Sequence, residues 1–502
     1  MRNTNVEDVT KPLRSLLVYP PAYANKFKPR RACFPLGIGY IASVLREHRQ
    51  PVDVLDCVIE GFNDIVEVKE ASNYMVFGLY GDKLKERIKA IRSDIVGISC
   101  PYYTTQKTSI QISKIAKETG AKWVVLGGQH ASGLIDYFLA IPEIDFIIIG
   151  EGDLSFLELV QTLQAGQLEK LDSIDGIAFK KNGKIHINPK NNYIQDLDSL
   201  PFPARDMFPM EEYFRINVPS GLTSYAGRAT EFVTSRGCPH ECWFCASTLF
   251  NGNFRARSLE NIIHEMQILR DTYGVRELQL VDDNLTQDRE RVLKICKNMV
   301  ERKMNLKWGI PNAIGTFALD EEIIKWLSLA GFYFTHLSIE SGSQRVLSDI
   351  MKKPTKINQS TQVVKLLHRY GIDVSLVFCI GNPGEQFDDM EKTFRYAATL
   401  PAYEAFFYFA TPLPGTELYN LCRKQKYVPE NFLELVYDFQ EPIITTPDWS
   451  PKELKRFVRK RVILLHFFYF LRNPFGFVLR YYRRYCKNAS VLKSFFSFIL
   501  HD

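Results

Sequence analysis

The sequence predicts an α/β protein: an N-terminal doubly wound, Rossmann-like sheet, then a partial (β/α)6 barrel of TIM type, then a helical C-terminal extension. Three observations predict it. Short β-branched runs alternate with amphipathic helical stretches over residues 13–165, the signature of a parallel sheet covered on both faces. The alternation restarts at Glu231 and runs through six strand–helix units, too few for an eightfold barrel and enough for an open one. From Pro451 onward the pattern is helical, basic and aromatic.

Taken in order, Arg14–Tyr19, Val52–Asp56, Ile95–Ser99, Trp123–Leu126 and Phe146–Ile149 read as strands. Gly37–Glu47, Thr108–Thr119 and Asp153–Gln164 carry helical periodicity. Gly176–Lys180 and Lys184–Asn188 flank Asn182-Gly183, a hairpin signal. Pro201, Pro203 and Pro209 suggest a connecting segment. The second set of strands is Glu231–Ser235, Glu277–Val281, Leu306–Pro311, Phe334–Ile339, Asp373–Ile380 and Ala405–Ala410. Helical patterns at Leu259–Tyr273, Arg289–Lys303, Asp320–Ala330, Lys356–Tyr370 and Phe387–Thr399 separate them. The boundaries that follow are residues 1–200, a linker at 201–225, the barrel at 226–425 and the extension at 426–502.

At 502 residues, 46% hydrophobic and 24% charged, the chain has the composition of a globular protein of two or three domains. The polar start Met-Arg-Asn-Thr-Asn-Val-Glu-Asp lacks a signal-peptide pattern, and the apolar stretch Val462–Leu471 is about half the length a spanning helix needs. A cytoplasmic location is the expectation. The net charge of +6 is uneven: twelve Lys/Arg against two Asp/Glu lie from Pro451 to the end, leaving the body mildly acidic.

Cys238, Cys242 and Cys245, in Thr-Ser-Arg-Gly-Cys-Pro-His-Glu-Cys-Trp-Phe-Cys (234–245), follow the first barrel strand. Three thiolates so spaced can hold three irons of a cubane cluster and leave the fourth iron open to a small chelating molecule. A zinc knuckle with His240 as fourth ligand is the alternative, and one eight-residue loop would strain it. The spacing and its surroundings resemble the radical S-adenosylmethionine (SAM) superfamily over roughly residues 225–425. The resemblance implies a 4Fe–4S cluster on the three cysteines, with SAM on the open iron and reductively split to a 5′-deoxyadenosyl radical. It further implies Phe244 beside adenine, Asp282, Asp283 and Asn284 in the segment that binds the methionine end, and Glu340 and Ser341 in the ribose- and carboxylate-contacting segment. Ile380, Gly381 and Gly384 fall in the stretch along the adenine. Read from the residues alone, the paired Asp and the Ser-rich segment are equally caps or turns.

In the first unit, Ser99-Cys100-Pro101-Tyr102, Gly127-Gly128-Gln129-His130 and Gly150-Glu151-Gly152 stand at C-terminal strand ends, where an open sheet binds ligand. With Pro35-Leu36-Gly37-Ile38-Gly39-Tyr40 they resemble the cobalamin-binding domain that precedes the barrel in one radical SAM subgroup. Ser99, Tyr102, Gly127, Gly128, Gln129 and Glu151 are the candidate cobalamin contacts. Where many such domains place a cobalt-ligating histidine in Asp-x-His-x-x-Gly, this chain has Asp56-Cys57-Val58-Ile59-Glu60-Gly61, and valine cannot ligate. His130 is a candidate substitute, with plain hydrogen bonding as its other reading. A nucleotide site or an empty scaffold is the alternative for this domain.

The resemblance implies a cobalamin-dependent radical SAM enzyme, with methyl transfer to an unactivated carbon as the favoured reaction and no catalytic side chain beyond the cofactor ligands. A radical oxidative cyclase or ring-forming enzyme is the runner-up. A cobalamin and iron–sulfur binding protein without turnover is the alternative of another class. The expected partners are a small-molecule or lipid-like substrate and an external electron donor such as flavodoxin or ferredoxin. The basic, aromatic tail reads first as helices packed on the barrel, second as a contact with anionic membrane, and last as a nucleic-acid surface.

Overall fold

Leu16 to Val18, Ile95, Val96, Ile98 and Val124 to Leu126 are at most 3% exposed, as strands covered on both faces must be. They belong to a seven-stranded sheet built from β1 (Ser15–Tyr19), β2 (Val52–Asp56), β3 (Ile95–Ser99), β4 (Trp123–Gly127), β5 (Phe146–Ile148), β6 (Ile177–Lys181) and β7 (Lys184–Asn188). The parallel part runs in the order β2-β1-β3-β4-β5, and the antiparallel hairpin β6-β7 extends it beyond β5. Asn182 and Gly183 both take positive φ, 52° and 77°, which the two-residue hairpin turn requires. Helix α1 (Leu36–Glu47) packs against α4 (Asp153–Gln164), and α2 (Gly81–Ile91) against α3 (Gln106–Glu118). The order reverses between β1 and β3, so this is a doubly wound sheet whose crevice opens beyond the C-terminal ends of those two strands.

The chain is described here by a computed structural model that covers residues 12–481 apart from 69–70, 72, 222–223, 403 and 436–438. Contacts divide it into two units: residues 1–25, 34–212 and 249–251, and residues 26–33, 213–248 and 252–502. Two features of the first unit escaped the sequence pattern: helix α2, and a small antiparallel sheet of Ala22–Asn25, Tyr74–Phe77 and Ile65–Glu67. Its strands hold three or four residues each, too short for a local periodicity to announce them.

The second unit carries six parallel strands in chain order: β8 (Ala229–Phe232), β9 (Glu277–Leu280), β10 (Lys307–Ile314), β11 (Phe332–Glu340), β12 (Asp373–Ile380) and β13 (Ala405–Phe409). Between them run α5 (Leu259–Asp271), α6 (Arg289–Glu301), α7 (Glu321–Leu329), α8 (Ile357–Arg369) and α9 (Phe387–Thr399). This is the open barrel that the alternation predicted. Several helices start on the capping side chains the sequence supplies, Ser258, Asp288 and Asp320 among them.

After α10 (Glu417–Lys424) the extension forms α11 (Pro451–Arg472), opened by a Ser450/Glu453 capping box, and α12 (Pro474–Tyr481). One stripe of α11, Leu454, Val458, Leu465 and Tyr469, is buried. Tyr469 donates to the Ala397 carbonyl at 2.8 Å, Arg472 to the Leu400 carbonyl at 2.7 Å, and Arg461 pairs with Glu391 at 2.5 Å. Packing on the barrel is therefore what this stripe does. The clusters Tyr482-Arg483-Arg484 and Phe495-Phe496-Ser497-Phe498 lie outside the described residues. Among the described residues no helix is long and apolar enough to cross a membrane.

Candidate active site

The three cysteines occupy one loop after β8, at the C-terminal end of the barrel strands where the sequence placed them. Each is half-buried, whereas Cys57, Cys100, Cys296 and Cys422 are buried; all nine described cysteines are free thiols. Burial raises the Cys238 thiol and pushes Cys242 up to about 11, against the pull of the Lys353 ammonium. Metal must therefore displace protons on binding. The Asn284 amide donates to Cys238 Sγ at 3.7 Å. His240 packs edge-on against Phe317, ring centroids 4.6 Å apart. Among the described residues no three His, Cys, Asp or Glu side chains converge as mononuclear ligands do. Thiolates that each take a different iron need not converge. Phe244 remains half-buried beside Cys245.

The paired carboxylates are engaged by the protein itself. Asp282, 4% exposed, accepts from the Thr234 amide at 2.8 Å and from the Thr234 and Ser235 hydroxyls, both at 2.5 Å. Burial pushes its carboxyl above the ordinary range, opposed by the Arg291 guanidinium and these hydrogen bonds. Arg291 in turn donates to the Thr234 carbonyl at 2.6 Å and to its hydroxyl at 2.5 Å. Asp283 takes the Gly237 amide and the Ser247 hydroxyl, both at 2.9 Å. The strand-end pair thus straps down both flanks of the cysteine loop.

Ser341 is fully buried, bonds Thr393 and accepts from the Ser343 amide, bracing its turn. Glu340 differs. It sits at a β-bulge ending β11 with φ of 70°, a strained backbone for a non-glycine residue and of the kind found at functional sites. Its carboxylate pairs at 3.0 Å with Lys353, which also reaches the Ser338 hydroxyl at 3.3 Å. Lys353 was not singled out by sequence; only a basic pair after a helical turn marked it. Burial disfavours its charge, but Glu340 and the thiols of Cys242 and Cys245 outweigh that and raise its pKa. A fixed cation thus stands beside the cysteine loop.

In the segment after β12, Ile380 is a buried strand residue. Gly381 has φ of 81°, and a Cβ there would stand 2.5 Å from Leu454 of α11. Close approach at Gly381 therefore serves the protein's own helix. At Gly384 (φ 87°) a Cβ would meet only Ile350, at 3.7 Å. Glu385, missed by sequence reasoning, is fully buried. Its Oε2 accepts from the Gly381 and Asn382 amides and the Asn382 side chain; its Oε1 has no partner, and burial pushes the acid up to about 7.

In the first unit the structure gathers Ser99, Tyr102, Gly127, Gly128 and Gln129 at the C-terminal edge of β3 and β4. Cys100 donates its amide to the Gly127 carbonyl at 2.7 Å. Gly128 (φ 107°) is required because a Cβ would lie 2.9 Å from the Cys100 backbone. Glu151 is buried and accepts from the Ile194 amide at 3.1 Å, bracing a later segment. Val58 is buried in the single helical turn Cys57–Glu60, whose first amides are capped by Asp56. His130 is 6% exposed, bonded to Gln106 at 2.6 Å, and held neutral by burial, its pKa lowered to about 4. It serves hydrogen bonding. In a cobalamin-loaded sample, electron paramagnetic resonance of cobalt(II) should therefore show no superhyperfine splitting from a protein imidazole. Nitrogen splitting that disappears in His130→Gln would overturn this.

Two family models match the chain: the B12 binding domain over residues 27–160 and the Radical SAM superfamily over 232–397. Over 476 residues it is 30% identical to the cytidylyl-2-hydroxyethylphosphonate methyltransferase of Streptomyces wedmorensis, covering 89% of this chain and 88% of that one. The chain belongs to the cobalamin-binding radical SAM enzymes. An uncharacterized methyltransferase of Pyrococcus horikoshii is 31% identical over 464 residues, 90% of this chain and 92% of its own. Among solved structures, the radical SAM methyltransferase TsrM of Kitasatospora setae, with cobalamin and a 4Fe–4S cluster bound, superposes with a TM-score of 0.65. It is 16% identical, with 89% of this chain and 82% of that chain covered, and shares the fold. The cofactors of this family member are a 4Fe–4S cluster, SAM and cobalamin. Its residues fit the cluster: three accessible thiols on one loop, strapped at both ends, next to a fixed cation.

Proposed function

We propose that the protein transfers a methyl group to an unactivated carbon of a small-molecule substrate. When bound, the cluster and SAM supply a carbon radical that can abstract hydrogen from such a carbon, and cobalamin supplies the methyl group. The chain itself holds and orients these groups. Cys238, Cys242 and Cys245 take the irons, and the straps from Asp282, Asp283 and Arg291 hold their loop. Lys353 and Glu340 fix charge beside it. Electrons come from an external donor of the flavodoxin or ferredoxin class. What carries the reading is likeness across most of the chain to methyltransferases, joined to a cysteine loop that leaves one iron open. Product analysis under reducing, anaerobic conditions tests it. Methyl transfer should release S-adenosylhomocysteine together with 5′-deoxyadenosine, whereas 5′-deoxyadenosine alone would point to cyclisation and no SAM cleavage to a binding protein.

A second reading concerns the extension: its outward face contacts anionic lipid. Opposite the buried stripe, α11 exposes Lys452, Arg456, Arg459 and Lys460 in its first half. In its second half it exposes Ile463 (63%), Phe467 (57%) and Leu471, followed by Phe475 (79%). A basic collar behind an apolar tip suits headgroup phosphates above acyl chains. With each cation near such a surface worth about 1 kcal/mol, changing Arg456, Arg459 and Lys460 to Gln should release the protein from anionic vesicles. A wild type that fails to sediment with them at low salt would retire this reading.

A further inference from the structure

We infer that Trp243, between the second and third cysteines, is the positioning residue of the cluster loop, and that the C-terminal extension helps to hold it. Trp243 is no ligand by chemistry, yet three separate segments fasten it. Its amide donates to the Met351 carbonyl at 3.2 Å, beyond β11. Its carbonyl accepts from the Leu418 amide at 3.1 Å, beyond β13. Its indole N–H donates to Asn382 Oδ1 at 3.3 Å, beyond β12. The residue is 9% exposed, so water competes little for these bonds.

Asn382 is fully buried and is itself held from both sides. Its amide group donates to the Cys379 carbonyl at 3.2 Å and to Glu385 Oε2 at 3.3 Å. The extension closes on this turn from outside: Trp449 donates its indole N–H to the Glu385 carbonyl at 3.1 Å, and Leu454 fills the space over Gly381. A continuous chain of buried contacts thus runs from the start of α11 through Glu385 and Asn382 to the residue between Cys242 and Cys245. The loop's two flanks are strapped by β9 and α6; its centre is set by this route.

The test uses the full chain, anaerobically reconstituted, with Trp243→Phe and Trp449→Phe, which keep a ring and remove one N–H each. Iron content should stay at wild-type level in both. SAM affinity should fall between about twofold and tenfold in each, the worth of one hydrogen bond. The paramagnetic resonance of the reduced cluster with SAM should change in the same direction. The double variant should lose less than the product of the two single losses, because both act on one turn. If Trp449→Phe does not fold, Leu454→Val tests the same contact. Unchanged SAM affinity and spectrum in Trp243→Phe would reduce Trp243 to packing. A response in Trp243→Phe with none in Trp449→Phe or Leu454→Val would remove the extension from the site.

Discussion

Cys242→Ala should yield a folded protein that binds less iron than wild type and releases no 5′-deoxyadenosine from SAM under reducing conditions. A cubane held by three thiolates has no spare protein ligand, so losing one opens a second iron and the cluster is not retained. The fold should survive because the loop's backbone is not held by its sulfurs. Asp282 and Asp283 strap its flanks, and Met351 and Leu418 fasten Trp243 at its centre. Apo wild type and apo variant should therefore melt together. Iron analysis and chromatography of the SAM products check this directly, and full SAM cleavage by the variant would sink the assignment of Cys242.

Arg257→Ala should be the most damaging substitution that touches no cofactor. Arg257 and Glu265 form an ion pair at 2.6 Å with side chains 4% and 3% exposed. The same guanidinium donates to the Val233 carbonyl at 2.7 Å and to Asn261 Oδ1 at 2.6 Å, tying the end of β8 to α5. Truncation leaves the Glu265 carboxylate buried without its guanidinium, a cost of about 3–5 kcal/mol. Replacing both by apolar residues of similar volume, Arg257→Met with Glu265→Leu, should recover much of it, since a buried pair is worth little net. Urea unfolding of the three proteins measures the difference. A loss of only about 0.5 kcal/mol in Arg257→Ala would place it among ordinary surface changes and refute the argument.

The sequence by itself determined both layers of this protein and marked its candidate cluster loop. Strands are short β-branched or apolar runs and surface helices are 3.6-periodic, so Val52–Asp56, Asp153–Gln164, Asp373–Ile380 and Phe387–Thr399 could be bounded to the residue. Soft thiolates in one short loop declare themselves by spacing. Tertiary structure alone decided what the polar residues around them do. A carboxylate at a strand end is polar wherever it points; only burial against Thr234, Ser235 and Arg291 shows that Asp282 straps the cysteine loop. The space beside Gly381 is filled by Leu454, more than seventy residues away in sequence. Lys353 and Asn382 acquire their roles from distant partners, Glu340 and Trp243, which no local pattern announces. Local periodicity encodes the elements; the partner of a buried polar group is fixed only when distant strand ends meet.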